Sequence, residues 1–197
     1  MLRILSCALS ALLAGAMPAS ALQLSPRIDV GAGSPTAPSE LRGTTGLGIH
    51  VSLGLAVPLA SQARAALDVT HERLLRAREA AIDRGRITRD GCSVMSALLG
   101  LELGGRCTST RAAPYAAAAA GVARARQGPV RGTDFDGNAW TTPTRTETHA
   151  ACALGAGLRF PTAASGLELH VGIRMLALLG PGIRQNAFAI RFGLEFS

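Results

Sequence analysis

Over residues 46–57 the chain alternates with period two. Leu47, Ile49, Val51, Leu53, Leu55 and Val57 fall on one side, and Gly48, His50, Ser52, Gly54 and Ala56 on the other. That period sends successive side chains to opposite faces of a strand, whereas a helix would smear the same residues around its circumference. The pattern returns three times in the C-terminal third. Cys152, Leu154, Ala156, Leu158 and Phe160 stand against Ala153, Gly155, Gly157 and Arg159. Leu167, Leu169, Val171, Ile173 and Met175 oppose Glu168, His170, Gly172 and Arg174, and Phe188, Ile190, Phe192, Leu194 and Phe196 oppose Ala189, Arg191, Gly193 and Glu195. Residues 24–33, 63–75, 93–104 and 114–124 alternate less regularly and complete a set of eight. They are 9–13 residues long, about the 9–11 that a tilted strand needs to cross a bilayer.

Two of these segments are ambiguous. Residues 60–86 are rich in helix formers and admit one amphipathic helix; Ala65, Leu67 and Val69 alternating with Ala66, Asp68 and Thr70 favour a strand, and the count of eight depends on it. The alanine run 116–120 has no face of its own. The connections are more regular. Short ones (58–62, 105–113, 161–165) follow the second, fourth and sixth segments, and the long polar stretches 76–91 and 125–149 lie at the other end. The pattern therefore predicts an all-β fold, an eight-stranded antiparallel up-and-down transmembrane β-barrel with short periplasmic turns and longer extracellular loops.

With the apolar face outward, the inward positions carry Arg27, Arg159, Arg174 and Arg191 beside Asp29, Asp68, Glu72, Glu102, Glu168 and Glu195, together with His50, Ser52, Thr70 and His170. In a soluble barrel these positions would be the core, and burying unpaired charges costs several kcal/mol each. With lipid outside, the same charges can pair across a narrow lumen, where glycines such as Gly54, Gly155, Gly172 and Gly193 leave room for long side chains. An eight-stranded interior is about filled by its own side chains, so these ten charges are expected to be structural and the barrel plugged, not a general diffusion pore. Tyr115, Phe160 and Phe196 fall at the short-turn end, where an interfacial aromatic girdle would lie.

Residues 1–21 run from Met1 and Arg3 through an apolar stretch to Ala19-Ser20-Ala21, a secretory signal layout, which leaves residues 22–197 as the barrel domain. The apolar stretch is shorter than the roughly 20 residues a spanning helix needs. Composition adds exclusions. At 48% apolar and 17% charged the chain is no disordered polycation, although 20 basic residues, all arginine, face 13 acidic ones. Aromatics make up 4%, too few for stacking platforms, and no nucleic acid partner is expected.

These features resemble the small outer-membrane β-barrel proteins of the OmpA-like and OmpX-like type. The likeness is carried by the signal segment, the eight alternating stretches, PYAAAAAGVARAR (114–126), ALGAGLRFP (153–161), GLELHVGIRM (166–175) and the terminal FAIRFGLEFS, which looks like that family's C-terminal assembly signal. Phe196 is followed here by Ser197, a departure from an aromatic end. The resemblance implies the outer membrane as location; roles within the family are varied.

Candidate chemistry is sparse. Asp134-Phe135-Asp136-Gly137-Asn138 begins like a calcium loop but has Ala139 at position six and Arg145 at position twelve, so a turn is expected there. His50, His71, His149 and His170 lack metal-ligand spacing, and no metal or cofactor is expected. Cys92 and Cys107 bracket one strand, about 50 Å apart at roughly 3.3 Å per residue, and Cys152 lies elsewhere. Arginines gather in the long connections (Arg76, Arg78, Arg84, Arg86, Arg89; Arg124, Arg126, Arg131, Arg145), where they could meet anionic headgroups or an external partner; Glu79, Asp83, Asp90, Asp134, Asp136 and Glu147 offset them. The reading is a monomeric, non-enzymatic outer-membrane barrel with a structural or surface-interaction role and outer-membrane lipid around it. The alternatives are a barrel-type lipid or lipid A hydrolase using Ser and His near the bilayer surface, a narrow channel, and a soluble periplasmic binding barrel.

Overall fold

The computed structural model describes residues 24–37, 45–76, 80–82, 85–89, 91–105, 111–134, 136–162, 166–180 and 186–196. In chain order the strands are β1 (Ser25–Ala37), β2 (Thr45–Ala60), β3 (Ala63–Arg76), β4 (Ala80–Ile82), β5 (Gly85–Arg89), β6 (Cys92–Gly104), β7 (Ala113–Gln127), β8 (Val130–Thr133), β9 (Ala139–Thr141), β10 (Arg145–Pro161), β11 (Leu167–Leu179) and β12 (Asn186–Phe196). Eight of them form a closed barrel in the order β1-β12-β11-β10-β7-β6-β3-β2. All pairs are antiparallel, and the seam is β1 on β12, from Arg27 opposite Glu195 to Ala37 opposite Asn186, with a register shift between Pro35 and Ala37. The proposed signal segment and Cys107 lie outside the described residues.

The ambiguity over residues 60–86 resolves as strand, in β3, β4 and β5. Although β3 is rich in Ala, Leu, Glu and Arg, its backbone is paired on both sides, to β2 and to β6, and its inward residues Ala66, Asp68, Thr70, Glu72 and Leu74 keep period two. Tertiary pairing overrides helix propensity, which is worth only tenths of a kcal/mol per residue. Barrel strands run from 11 to 17 residues, longer than the bilayer-crossing minimum, because pairing continues past the apolar band toward the long-loop end. There, Arg145 of β10 still stands opposite Gln127 of β7.

The apolar faces point outward. Ile28, Ile49, Leu53, Leu99, Leu101, Leu154, Ile173 and Phe192 are each 39–65% exposed and form part of a band around the wall. A contiguous apolar surface of that extent has no place in water. Set around a closed barrel, it is the surface of a membrane-spanning protein, crossed by strands; no described helix is long and apolar enough to span.

The two long connections are not simple solvated loops. Their short strands form one four-stranded sheet in the order β4-β5-β8-β9, in which β5 of the first connection pairs with β8 of the second (Arg86–Thr133 to Arg89–Val130). The turn expected at Asp134–Asn138 lies between β8 and β9. Asp134 accepts hydrogen bonds from the Asn138 backbone N–H at 2.7 Å and from Asn138 Nδ2 at 3.3 Å, and Gly137 takes φ +81°, where a side chain would be strained.

Candidate functional site

Of the inward charges, Arg27, Asp29, Asp68, Glu72, Glu102, Arg159, Arg174, Arg191 and Glu195 are buried, and Glu168 is half-buried near the short-turn end. Arg27 is the hub. It donates to Glu102 and, at 2.7 Å, to Asp68 Oδ1, and lies 3.8 Å from Asp29 Oδ2. Glu102 also accepts from Arg159, so one carboxylate is shared by two guanidinium groups. Asp29 bonds His170 and stands 3.5 Å from Arg191 Nη1. Above this cluster, His50 meets Glu72 at 3.2 Å, and Arg174 donates to Thr70 at 2.8 Å.

Two of these bonds pass directly over a glycine on the strand between their partners. Register places Gly54 of β2 between Arg27 of β1 and Asp68 of β3, and Gly193 of β12 between Asp29 of β1 and His170 of β11. A Cβ on Gly54 would sit 2.5 Å from Asp68 Oδ1 and 3.3 Å from Arg27 Nε; on Gly193 it would overlap both Asp29 and the His170 ring. The lumenal glycines are thus gaps through which residues two strands apart bond. Gly193→Val is expected to separate Asp29 from His170 and cost about 1–3 kcal/mol, the penalty of unsatisfied buried polar groups. Urea titration of the detergent-folded protein checks this; an unchanged midpoint would contradict it.

Some lumenal residues depart from the sequence expectation. Arg64, not among the ten, reaches Glu195 and lies 3.8 Å from Glu168; it shares the parity of Ala66 and Asp68, which was the available signal. Tyr115 is no girdle residue. It is 5% exposed inside the barrel, its ring 4.6 Å beneath the Arg159 guanidinium and edge-on to His170. It lies across Gly157 and Gly172, where a Cβ would come within 2.8 and 2.5 Å of its ring and hydroxyl. Parity assigns this position too: Val122, Ala120, Ala118 and Ala116 face out, so Tyr115 faces in. Phe196 is exposed on the outer wall as expected, and Phe160 is half-buried.

The lumen is also only half charged. Toward the long-loop end it is packed with Val94, Leu98, Ala123, Ala125, Ala151, Ala153, Leu176 and Leu178. This cluster lies on β6, β7, β10 and β11, and its Leu98 and Val94 stand opposite Asp68 and Glu72 of β3, so apolar and charged side chains share the lumen side by side. A gap of about 20 Å³ among Asp68, Glu102, Arg174 and Arg191 has room for about one water.

Chemistry outside the lumen is limited. Among the described residues no cluster of three His, Cys, Asp or Glu could hold a metal ion. On the outer wall His71 and Ser93 are diagonal neighbours across β3 and β6, with no hydrogen bond between them. Arg124 and Arg126, expected in the second long loop, stand instead on β7, exposed on the outer wall, because the alternation of β7 continues through Val122 to the end of the strand. Arg145 pairs with Glu147.

No protein-family model matches the sequence, and no curated protein matches it. Solved structures do. The fold is similar to that of Neisserial surface protein A (NspA), with a TM-score of 0.55 at 14% identity, over 88% of this chain and 95% of that one. It is similar also to the outer membrane protein OprG from Pseudomonas aeruginosa, with a TM-score of 0.52 at 13% identity, over 89% and 96% of the two chains. At these identities the likeness concerns the fold: a closed eight-stranded barrel of the small outer-membrane type, as the resemblance in the sequence implied. The apolar outer band and that fold agree on the outer membrane as the location.

Proposed function

We propose that the protein is a sealed outer-membrane barrel with a structural and surface-interaction role, making its external contacts through the sheet at its long-loop end. The observation that carries this reading is the lumen. Its carboxylates and arginines pair across the interior, and an apolar cluster on β6, β7, β10 and β11 packs beside them, so the interior is organised to be closed. The joining of two separate connections into one sheet by β5 and β8 gives the long-loop end a defined surface, the arrangement expected of a binding face.

Two measurements test the two halves of the proposal. In planar bilayers the folded protein is expected to give no steady unitary conductance; a stable open channel would overturn the sealed reading. In an exporting host, replacing residues 77–91 and 128–144 by short turns is expected to leave heat-dependent gel migration intact and abolish attachment that the full protein confers. Equal attachment by both proteins, or none by either, would remove the surface-interaction role.

A further inference from the structure

On the outer wall near the long-loop end, the lipid-facing surface changes abruptly. Val69, Ala97, Val122 and Ala150 form one apolar row across β3, β6, β7 and β10. The next outward row is His71, Met95, Arg124 and Thr148, and the one after it is Arg73, Ser93, Arg126 and Thr146. Arg73, Arg124 and Arg126 are exposed, and among the described residues no carboxylate pairs with them. Arg124 and Arg126 lie about 7 Å apart along one strand face, and Arg73 is two strand spacings, about 10 Å, from Arg126. The patch therefore presents three guanidinium groups and the hydroxyls of Ser93, Thr146 and Thr148, with no negative charge among them.

Directly below it the wall is concave. Ala118 and Ala120 of β7 are flanked by Leu99 and Leu101 on β6 and by Cys152 and Leu154 on β10, leaving an open, almost wholly apolar groove of about 580 Å³. A groove of this kind in a bilayer is filled by hydrocarbon. The arginines stand at its long-loop end, on the same strand face as its floor, with Val122 between.

We infer that this part of the wall is a specific site for a phosphate-bearing lipid of the outer leaflet, with an acyl chain in the β6–β7–β10 groove and the phosphate held by Arg124, Arg126 and Arg73. The inference rests on the membrane-spanning reading of the barrel and places the anionic-headgroup contact on the wall, not in the long connections. Charge complementarity selects the occupant. Planar guanidinium groups bind phosphate oxygens in pairs, and a zwitterionic headgroup would bring a cation to a patch already cationic. A soluble phosphate would use the cations alone, without the groove.

The test uses the full protein in phosphatidylcholine nanodiscs doped with bis-phosphorylated lipid A, with lipid co-purification and native mass spectrometry as readouts. The wild type is expected to retain lipid A at about one per barrel and to release it when the lipid is dephosphorylated. R124Q/R126Q is expected to weaken retention about tenfold or more, as loss of charge-assisted contacts implies. A120F, which fills the groove without changing charge, is expected to weaken it too. Heat-dependent migration verifies that each variant is folded, and the dephosphorylated-lipid arm needs no variant. Equal retention of phosphorylated and dephosphorylated lipid, or full retention by R124Q/R126Q, would overturn the site. Loss in R124Q/R126Q with unchanged binding by A120F, or complete displacement by inorganic phosphate, would overturn the acyl-chain part and leave a phosphate patch. Failure of the wild type to enter nanodiscs at all would instead refute the membrane reading on which the site rests.

Discussion

Replacing Arg27 by methionine is expected to destabilise the folded barrel by about 3–5 kcal/mol, the cost of breaking a buried ion pair from one side. Arg27 is 4% exposed and touches three carboxylates, those of Asp29, Asp68 and Glu102. Of these, Glu102 keeps Arg159 and Asp29 keeps His170 and Arg191, whereas Asp68 loses the one partner its described ion pairs give it. The remaining anions would then face one another beside a gap with room for about one water. The measurement is the urea midpoint for loss of heat-modifiable migration in detergent. Arg27→Lys is expected to recover part of the loss, because a lysine keeps the charge but cannot reach Asp68 and Glu102 together with separate nitrogens of one fork. A methionine variant as stable as the wild type would mean that the network contributes nothing to the fold.

The second large effect lies on the other face. Leu154 is 65% exposed at the middle of β10. Leu154→Arg is expected to cost about 2–4 kcal/mol, since a cation near the bilayer midplane of a barrel wall must be desolvated or drag water inward. In a soluble barrel the same substitution at so exposed a site would be nearly neutral and would improve solubility. The sign of the effect therefore reports which solvent surrounds the wall. Folding efficiency into phospholipid vesicles is the readout, and unimpaired insertion of the variant would contradict a lipid-facing Leu154.

How far the sequence discloses this molecule follows from what period two can carry. Parity alone assigns a residue to the wall or the interior, which is how inward charges such as Arg27, Asp29 and Glu102 are read from the sequence, and Arg64 and Tyr115 carry the same signal. The signal is weak in both segments: helix formers obscure β3, and the alanine run that opens β7 has no apolar contrast to mark its faces. Parity says nothing of which residues meet. The Arg27–Asp68 bond over Gly54 and the Asp29–His170 bond over Gly193 depend on the register of three successive strands, a property of the closed barrel. The apolar cluster is likewise a matter of pairing: Val94, Leu98, Leu176 and Leu178 have the parity of lumenal residues, but only the strand order β6-β7-β10-β11 brings them to one side of the lumen.

The small sheet of β4, β5, β8 and β9 was beyond reach for a different reason. Its strands are 3–5 residues long, too short for alternation to register, and its central pairing joins segments separated by more than forty residues. Arg124 and Arg126 show the converse: a polar composition reads as loop, although the β7 backbone continues as paired strand through Gln127. Charge marks where the bilayer ends on that face, not where the strand ends.

The central claim is that the apolar face of the barrel looks into an outer membrane and the charged face into a closed lumen. Fractionating an exporting host, then comparing migration of the detergent-extracted protein with and without boiling, tests it most directly. The account predicts recovery in the outer membrane and a faster-migrating unboiled form. Recovery as a soluble periplasmic protein with no shift on boiling would contradict it, because the wall described here could not then be facing lipid.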